Sequence, residues 1–464
     1  MGLIDSLSTA FNAREDGLRL IIAILAGYPL AVIHRTFLFK APRNVQHVFF
    51  VLTGLMLYWF NYGFATVHSI IATINAYIIT NYFAGTTLSV ILAHLAFLGH
   101  LLFGYWMVET DQYDITWTTP FCIMTLRFTG LVMDVYDGKK SKDKIKGSQS
   151  KTAISDPPDL LEIAAFGFIF CGTFVGHLFP FSKFRSFVNG EFLNEKGEVR
   201  TSSLMPSLGR FLGGCLYAVI HLWGNYWIPC DYFNSYEFLN LPFFWKLVWT
   251  VLWFRLIMSR YIFCWLINEG AAILSGIAYN GKDEYGEDRW DGTRDINILK
   301  WEFGLDFQSA IESFNLGTNA FAKNHIFKRL QWMGNKVYSH ALTLVYLAIW
   351  HGYHLGYFLL FWLEFACVMA QRQLYDLVDK IPSLRNLIAQ SWMRPVKFIL
   401  GRLIINISMS IGFFSFGLVK TRLWIRPLSS MYFLPHIFYS FIWPLFYFLV
   451  NKMMKQKVEH KKTE

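Results

Sequence analysis

A chain of 464 residues that is 54% hydrophobic, 18% aromatic and only 16% charged, with its apolar residues gathered in long runs, is a polytopic membrane protein rather than a soluble domain. Its 42 Lys and Arg against 32 acidic residues give a net charge of +10. Much of that excess sits in short segments between apolar runs, which suits an anionic cytosolic leaflet and argues against nucleic-acid binding. Six cysteines (Cys122, Cys171, Cys215, Cys230, Cys264 and Cys367) lie far apart without paired spacing and read as ordinary membrane-core residues.

The N-terminal stretch MGLIDSLSTAFNAREDGLRL mixes Asp5, Glu15 and Asp16 with Arg14 and Arg19 and has no small-residue cleavage site, which argues against a cleaved signal peptide. Candidate spans follow at residues 20–38, 46–64, 66–83, 87–108, 119–133, 160–180, 208–228, 243–268, 340–363, 397–418 and 431–450. They predict an all-α bundle of about ten or eleven membrane helices, since a helix of about 20 residues crosses the bilayer. The pair between Val45 and Phe83 reads either as two crossings or as one long helix with a kink. Arg35, Lys40 and Arg43, the basic loop 139–151 and the tail 451–464 favour the cytosol by the positive-inside rule. That tail ends KKTE, similar to the dilysine signal that retrieves membrane proteins to the endoplasmic reticulum; a merely solvated tail is the alternative. No internal repeat is visible, which counts against transporters built from two related halves.

The region 279–336 is too polar to span, yet Trp290, Trp301, Phe303, Phe307, Phe314, Phe321, Phe327 and Trp332 recur through it. This pattern predicts short amphipathic helices and turns at the bilayer surface or inside the bundle. Within it, Lys323, Lys328 and Arg329 stand among apolar residues. They suit either an interfacial helix held by anionic headgroups or a site for the phosphates of a nucleotide-like cofactor.

The stretch His340 to Trp362, HALTLVYLAIWHGYHLGYFLLFW, is apolar enough to cross a bilayer but carries His351 and His354 near its middle. Ionisable groups at that depth mark a functional site by default. On a continuous helix Gly352 and Gly356 share a face, where close helix packing is the simplest reading. Glu364, thirteen residues beyond His351, lies about 220° around a regular helix and points elsewhere. A metal site is therefore not expected.

Several chemistries lack their motifs: the chain has no GxxxxGK[ST], GxSxG or HExxH, and no His is followed by Asp five positions on. What remains is a membrane-buried imidazole, suited to take a proton from a hydroxyl and return it to a leaving group. Asn315 and Asn319 in FNLGTNAF offer amide donors for an oxyanion or for orienting a substrate. A buried His satisfied by a neighbouring carbonyl is the competing structural reading.

Read together, the block ESFNLGTNAFAKNHIFKRLQWMGNK and the later WHGYHLGY resemble the membrane-bound O-acyltransferase family, within its lysophospholipid acyltransferase branch and nearest the lysophosphatidylcholine type. The likeness rests on Phe314 to Ala320, Ile326 to Leu330 and Trp350 to Tyr357, with PDLLEIAAF (158–166) and WLINEGAAILSG (265–276) beside them. It implies one domain over 1–464, a reaction chamber inside the bundle, and acyl transfer from acyl-CoA to the free sn-2 hydroxyl of a lysophospholipid. It further implies His351 as catalytic base and Asn315 as its partner. Trp350, Tyr353, Tyr357, Asn319, Lys328, Arg329, Glu269 and Trp290 are candidate substrate contacts. The resemblance implies acyl-CoA as donor substrate, no permanently bound cofactor, residence in the endoplasmic reticulum membrane, and is compatible with a homodimer. Transfer to lysophosphatidylinositol or to a protein, and lipid transport without chemistry, stand as alternatives.

Overall fold

The structure, a computed structural model, describes residues 3–11, 14–110, 115–141, 145, 147 and 149–463. Residues 142–144, 146 and 148 of the basic loop, and the side chains of the KKTE tail, lie outside what it describes. The described chain is helical, with one isolated antiparallel bridge, Lys282 to Asp288, and no strand. It forms two compact units, Met1–Val219 with Ser259–Ile296 and Asn315–Leu330, and Ile220–Met258 with Asn297–Phe314 and Gln331–Glu464.

Eight helical stretches among the described residues are long and apolar enough to cross a membrane: Glu15–Leu38, Arg43–Tyr82, Thr87–Met107, Thr201–Asn234, Phe243–Ser275, Leu355–Lys380, Met393–Gly417 and Leu434–Gln456. The expected ten or eleven shrink for identifiable reasons. Residues 46–64 and 66–83 belong to one stretch that turns where Gly63 takes φ 51°. The run 160–180 is helical only over Leu160–Phe168, and 340–363 is broken after His351. The predicted span at 119–133 is the helix Thr118–Gly138, buried at nearly every position.

That helix is the centre of the first unit. It carries Arg127 in the middle of its apolar run, and the guanidinium donates to the carbonyls of Phe166 (3.2 Å), Gly172 (2.9 Å) and His177 (2.7 Å). Backbone groups freed from a helix at membrane depth must find partners within the protein. One buried arginine thus lets residues 169–180 leave the helical path. Around it Phe50, Phe166, Phe168, Phe170, Phe181 and Phe184 are almost fully buried, and close packing of their rings holds the helices together where lipid supplies no hydrophobic driving force. Gly54 makes the close approach possible, because a Cβ there would run into the Phe168 backbone. The opposite face of the helix Arg43–Tyr62, which carries Gly54, exposes Leu52, Met56 and Trp59, as expected of a surface that meets acyl chains instead of water.

In the second unit Leu355–Lys380 packs on Met393–Gly417, where a Cβ on Gly356 would meet the Ser415 carbonyl. The small-residue reading of Gly356 is therefore correct. Trp253 stacks on Phe414 (centroids 5.2 Å, 21° between planes), and Phe233 closes on both.

Candidate active site

His351 is the last residue of the helix Lys336–His351, which begins where the Asn335 side chain accepts from the Val337 N–H (2.8 Å). The helix stops because Gly352 adopts φ 134°, ψ −173°, a conformation essentially confined to glycine. Its N–H turns back to Ala348 O (3.2 Å) and Ile349 O (3.0 Å). The chain then resumes a helix after His354, which is extended at φ −69°, ψ 134°. The two histidines therefore flank a non-helical break, and the shared helical face expected for Gly352 and Gly356 does not exist.

The break leaves the His351 imidazole walled by aromatic rings: Trp350 at 4.5 Å between centroids, Phe416 at 4.9 Å, Phe361 at 5.5 Å and Tyr357 at 5.8 Å. Neither ring nitrogen has a hydrogen-bond partner among the described residues. The competing reading, a His satisfied by a nearby carbonyl, is therefore not what the structure holds. Trp350 is buried, whereas Tyr353 is exposed and lies against His354 (4.8 Å). Tyr357 touches both histidine rings. Among the described residues no group of three or more His, Cys, Asp or Glu is placed to share a metal ion.

Asn315 belongs to the first unit and His351 to the second. Asn315 sits at φ 52°, ψ 48°, in the left-handed region where Asn is the best tolerated residue after glycine, immediately before the short helix Leu316–Phe321. Its carbonyl accepts from the Asn319 N–H (3.0 Å), so the two asparagines stand one turn apart on one face. The next two N–H groups are held by one residue: Leu316 donates to the Asp295 carbonyl oxygen (3.1 Å) and Gly317 to Asp295 Oδ1 (2.9 Å). Further on, Phe321 stacks on His325, whose Nε2 lies 3.0 Å from Asp134 Oδ1.

The remaining candidates fall in the first unit. Lys328 Nζ donates to Asn324 Oδ1 (2.9 Å), and Arg329 makes a two-pronged pair with Asp137 (3.1 and 2.6 Å). Although burial pushes the Asp137 carboxyl up, the hydrogen bonds and charges of Arg329 and Lys140 outweigh it and hold the group below the usual carboxylate range. Glu269 is fully buried between Arg210 (3.1 Å) and Arg294 (3.3 Å). Trp290 is buried against Tyr279 and lines a small cavity with His34, Gln46 and Arg200.

Arg127, His177 and Asp295 lie outside every motif that the sequence singles out. Arg127 was the findable one, a lone charge inside the apolar run CIMTLRFTGLVM.

Residues 102–415 match the model of the MBOAT, membrane-bound O-acyltransferase family. The chain is similar to a Caenorhabditis elegans protein named lysophospholipid acyltransferase 5, with 56% identity over 98% of this chain and 96% of that one. A human protein of the same name is 34% identical, over 99% and 94% of the two chains. A Schizosaccharomyces pombe lysophospholipid acyltransferase is 24% identical, over 98% and 90%.

Proposed function

The chain belongs to the membrane-bound O-acyltransferase family, and we propose that it moves a fatty acyl group from acyl-CoA to the free sn-2 hydroxyl of a lysophospholipid. The acceptor is lysophosphatidylcholine first, then its ethanolamine and serine relatives, in the endoplasmic reticulum membrane. The observation that carries this reading is identity of 56% across nearly the whole length of a relative named for lysophospholipid acyl transfer. The unpartnered imidazole at the helix break supports it.

In the proposed reaction a His351 ring nitrogen takes the proton from the acceptor hydroxyl as its oxygen attacks the thioester carbonyl. The Asn315 amide N–H donates to the oxyanion that develops on that carbonyl. Collapse of the tetrahedral intermediate breaks the carbon–sulfur bond, and the imidazolium returns its proton to the departing sulfur. The products are the diacyl phospholipid and CoA. A wall of rings around His351 keeps water from competing for the acyl group. Lys328 and Arg329 are assigned to the surroundings of the CoA phosphates, Arg329 through the segment that Asp137 anchors.

The test is acyl transfer by the purified full-length protein, beside His351→Ala, with several acyl-CoA donors and a panel of lysophospholipids. Phosphatidylcholine formed by wild type and abolished in a normally folded variant is the expected result. A product made equally by both would refute the role of His351. No product with any lysophospholipid would refute the reaction.

A further inference from the structure

We propose that Asp295, oriented by His177, is a positioning residue for acyl transfer and acts by fixing the left-handed turn at Asn315. This inference rests on Asn315 being the oxyanion donor. Asp295 and His177 are 2% and 0% exposed. Asp295 secures both N–H groups that follow Asn315, one through its backbone oxygen and one through Oδ1. Its second carboxylate oxygen accepts from His177 Nδ1 at 3.0 Å. His177 in turn gives its carbonyl to Arg127, and Asn268 accepts from the Gly172 N–H (3.3 Å). A chain of hydrogen bonds therefore runs from the peptide that carries Asn315 to the buried Thr118–Gly138 helix.

The carboxylate has no room to wander. A Cβ on Gly317 would lie 2.8 Å from Oδ1, and one on Gly176 would lie 2.7 Å from Oδ2. Each oxygen is thus seated against a position that only glycine leaves open. Burying an acid with an imidazole is poor value as stabilisation, since an apolar pair of similar volume is often as good or better. What the pair supplies is direction, because two donors of defined geometry converge on one planar group. A displacement of about 1 Å at a catalytic group costs about a hundredfold in rate, so holding the Asn315 amide in place is a functional task.

The deciding variant is Asp295→Asn in the full-length protein. An amide offers one acceptor to two donors, Gly317 N–H and His177 Nδ1–H. His177 can relieve the conflict only by moving its proton to Nε2, which is buried with no partner among the described residues, and an unpaired buried N–H is costly. The expected result is a kcat lowered about tenfold in Asp295→Asn and about a hundredfold in Asp295→Ala. KM for both substrates should stay within about threefold of wild type and the melting temperature of Asp295→Asn within a few degrees. A purely structural role would lower the melting temperature and the yield of folded protein, leaving kcat per folded molecule unchanged. A wild-type kcat in Asp295→Asn, or a loss confined to KM, overturns the inference. Asn315→Ala measured in parallel separates the two readings. If it loses activity while Asp295→Asn does not, only the positioning role fails; if it transfers at the wild-type rate, the oxyanion assignment itself fails.

Discussion

Gly352→Ala tests whether the helix break delivers His351 to its site. At φ 134°, ψ −173° an alanine pays about 1–3 kcal/mol of backbone strain. Elsewhere a Gly to Ala change with compatible geometry stabilises by about 0.4–1 kcal/mol through the unfolded chain, so the sign alone is informative. The variant can keep the break and lose stability, or relieve the strain by shifting residues 351–354. The second route moves the imidazole out of its contacts with Phe416 and Phe361, now at 4.9 and 5.5 Å. A shift of about 1 Å there costs about a hundredfold, or roughly 2.7 kcal/mol in the barrier. The assay is release of CoA thiol from acyl-CoA in the presence of lysophosphatidylcholine, normalised to folded protein, together with thermal unfolding followed by tryptophan fluorescence. The expected outcome is a kcat at least about tenfold lower with KM little changed, since the proposed base acts in the chemical step. A wild-type rate together with an unchanged or raised melting temperature would refute the argument, because the glycine would then carry neither strain nor position.

Two further expectations follow the same logic. Asn315→Gly keeps the left-handed turn at φ 52° and removes only the amide. It should melt near wild type while losing about 10²–10³ in kcat, whereas retained transfer would show that the amide is not used. Stability should also depend on the Asp137 carboxylate, whose folded-state pKa lies below its unfolded value. Its contribution is fully present above the unfolded pKa of about 3.9 and is lost as pH falls through the lower folded value. Asp137→Asn, which strands Arg329, should therefore melt well below wild type at pH 7, and the gap should narrow as both are acidified below about pH 4. Melting curves from pH 7 to pH 3 check this, and a gap constant across the range would contradict it.

Much of the molecule was legible in the chain because the bilayer imposes a local requirement. A span must be long, apolar and helical over its own length, so Phe243–Ser275 and Met393–Gly417 announce themselves. His351 was legible for the converse reason, as a titratable group where none is cheap. Its neighbourhood was not. Phe416 comes from a helix more than fifty residues away, and the break at Gly352 is a choice of φ and ψ that the letters WHGYH permit without dictating.

Local pattern indicated an all-α membrane protein and the course of its longest helices, and it singled out His351 and Asn315 as candidates, since periodicity, span length and motif are properties of neighbouring residues. Tertiary packing settled the rest. Residues 169–180 could leave the helix because Arg127, on another helix, donates to their carbonyls. Arg329 was committed to Asp137 at a separation of 192 residues, and the turn at Asn315 was seated on Asp295 and His177. A hydrogen bond or ion pair in a dry interior is decided by which groups folding brings within about 3 Å, and that proximity is written in no single stretch of the chain.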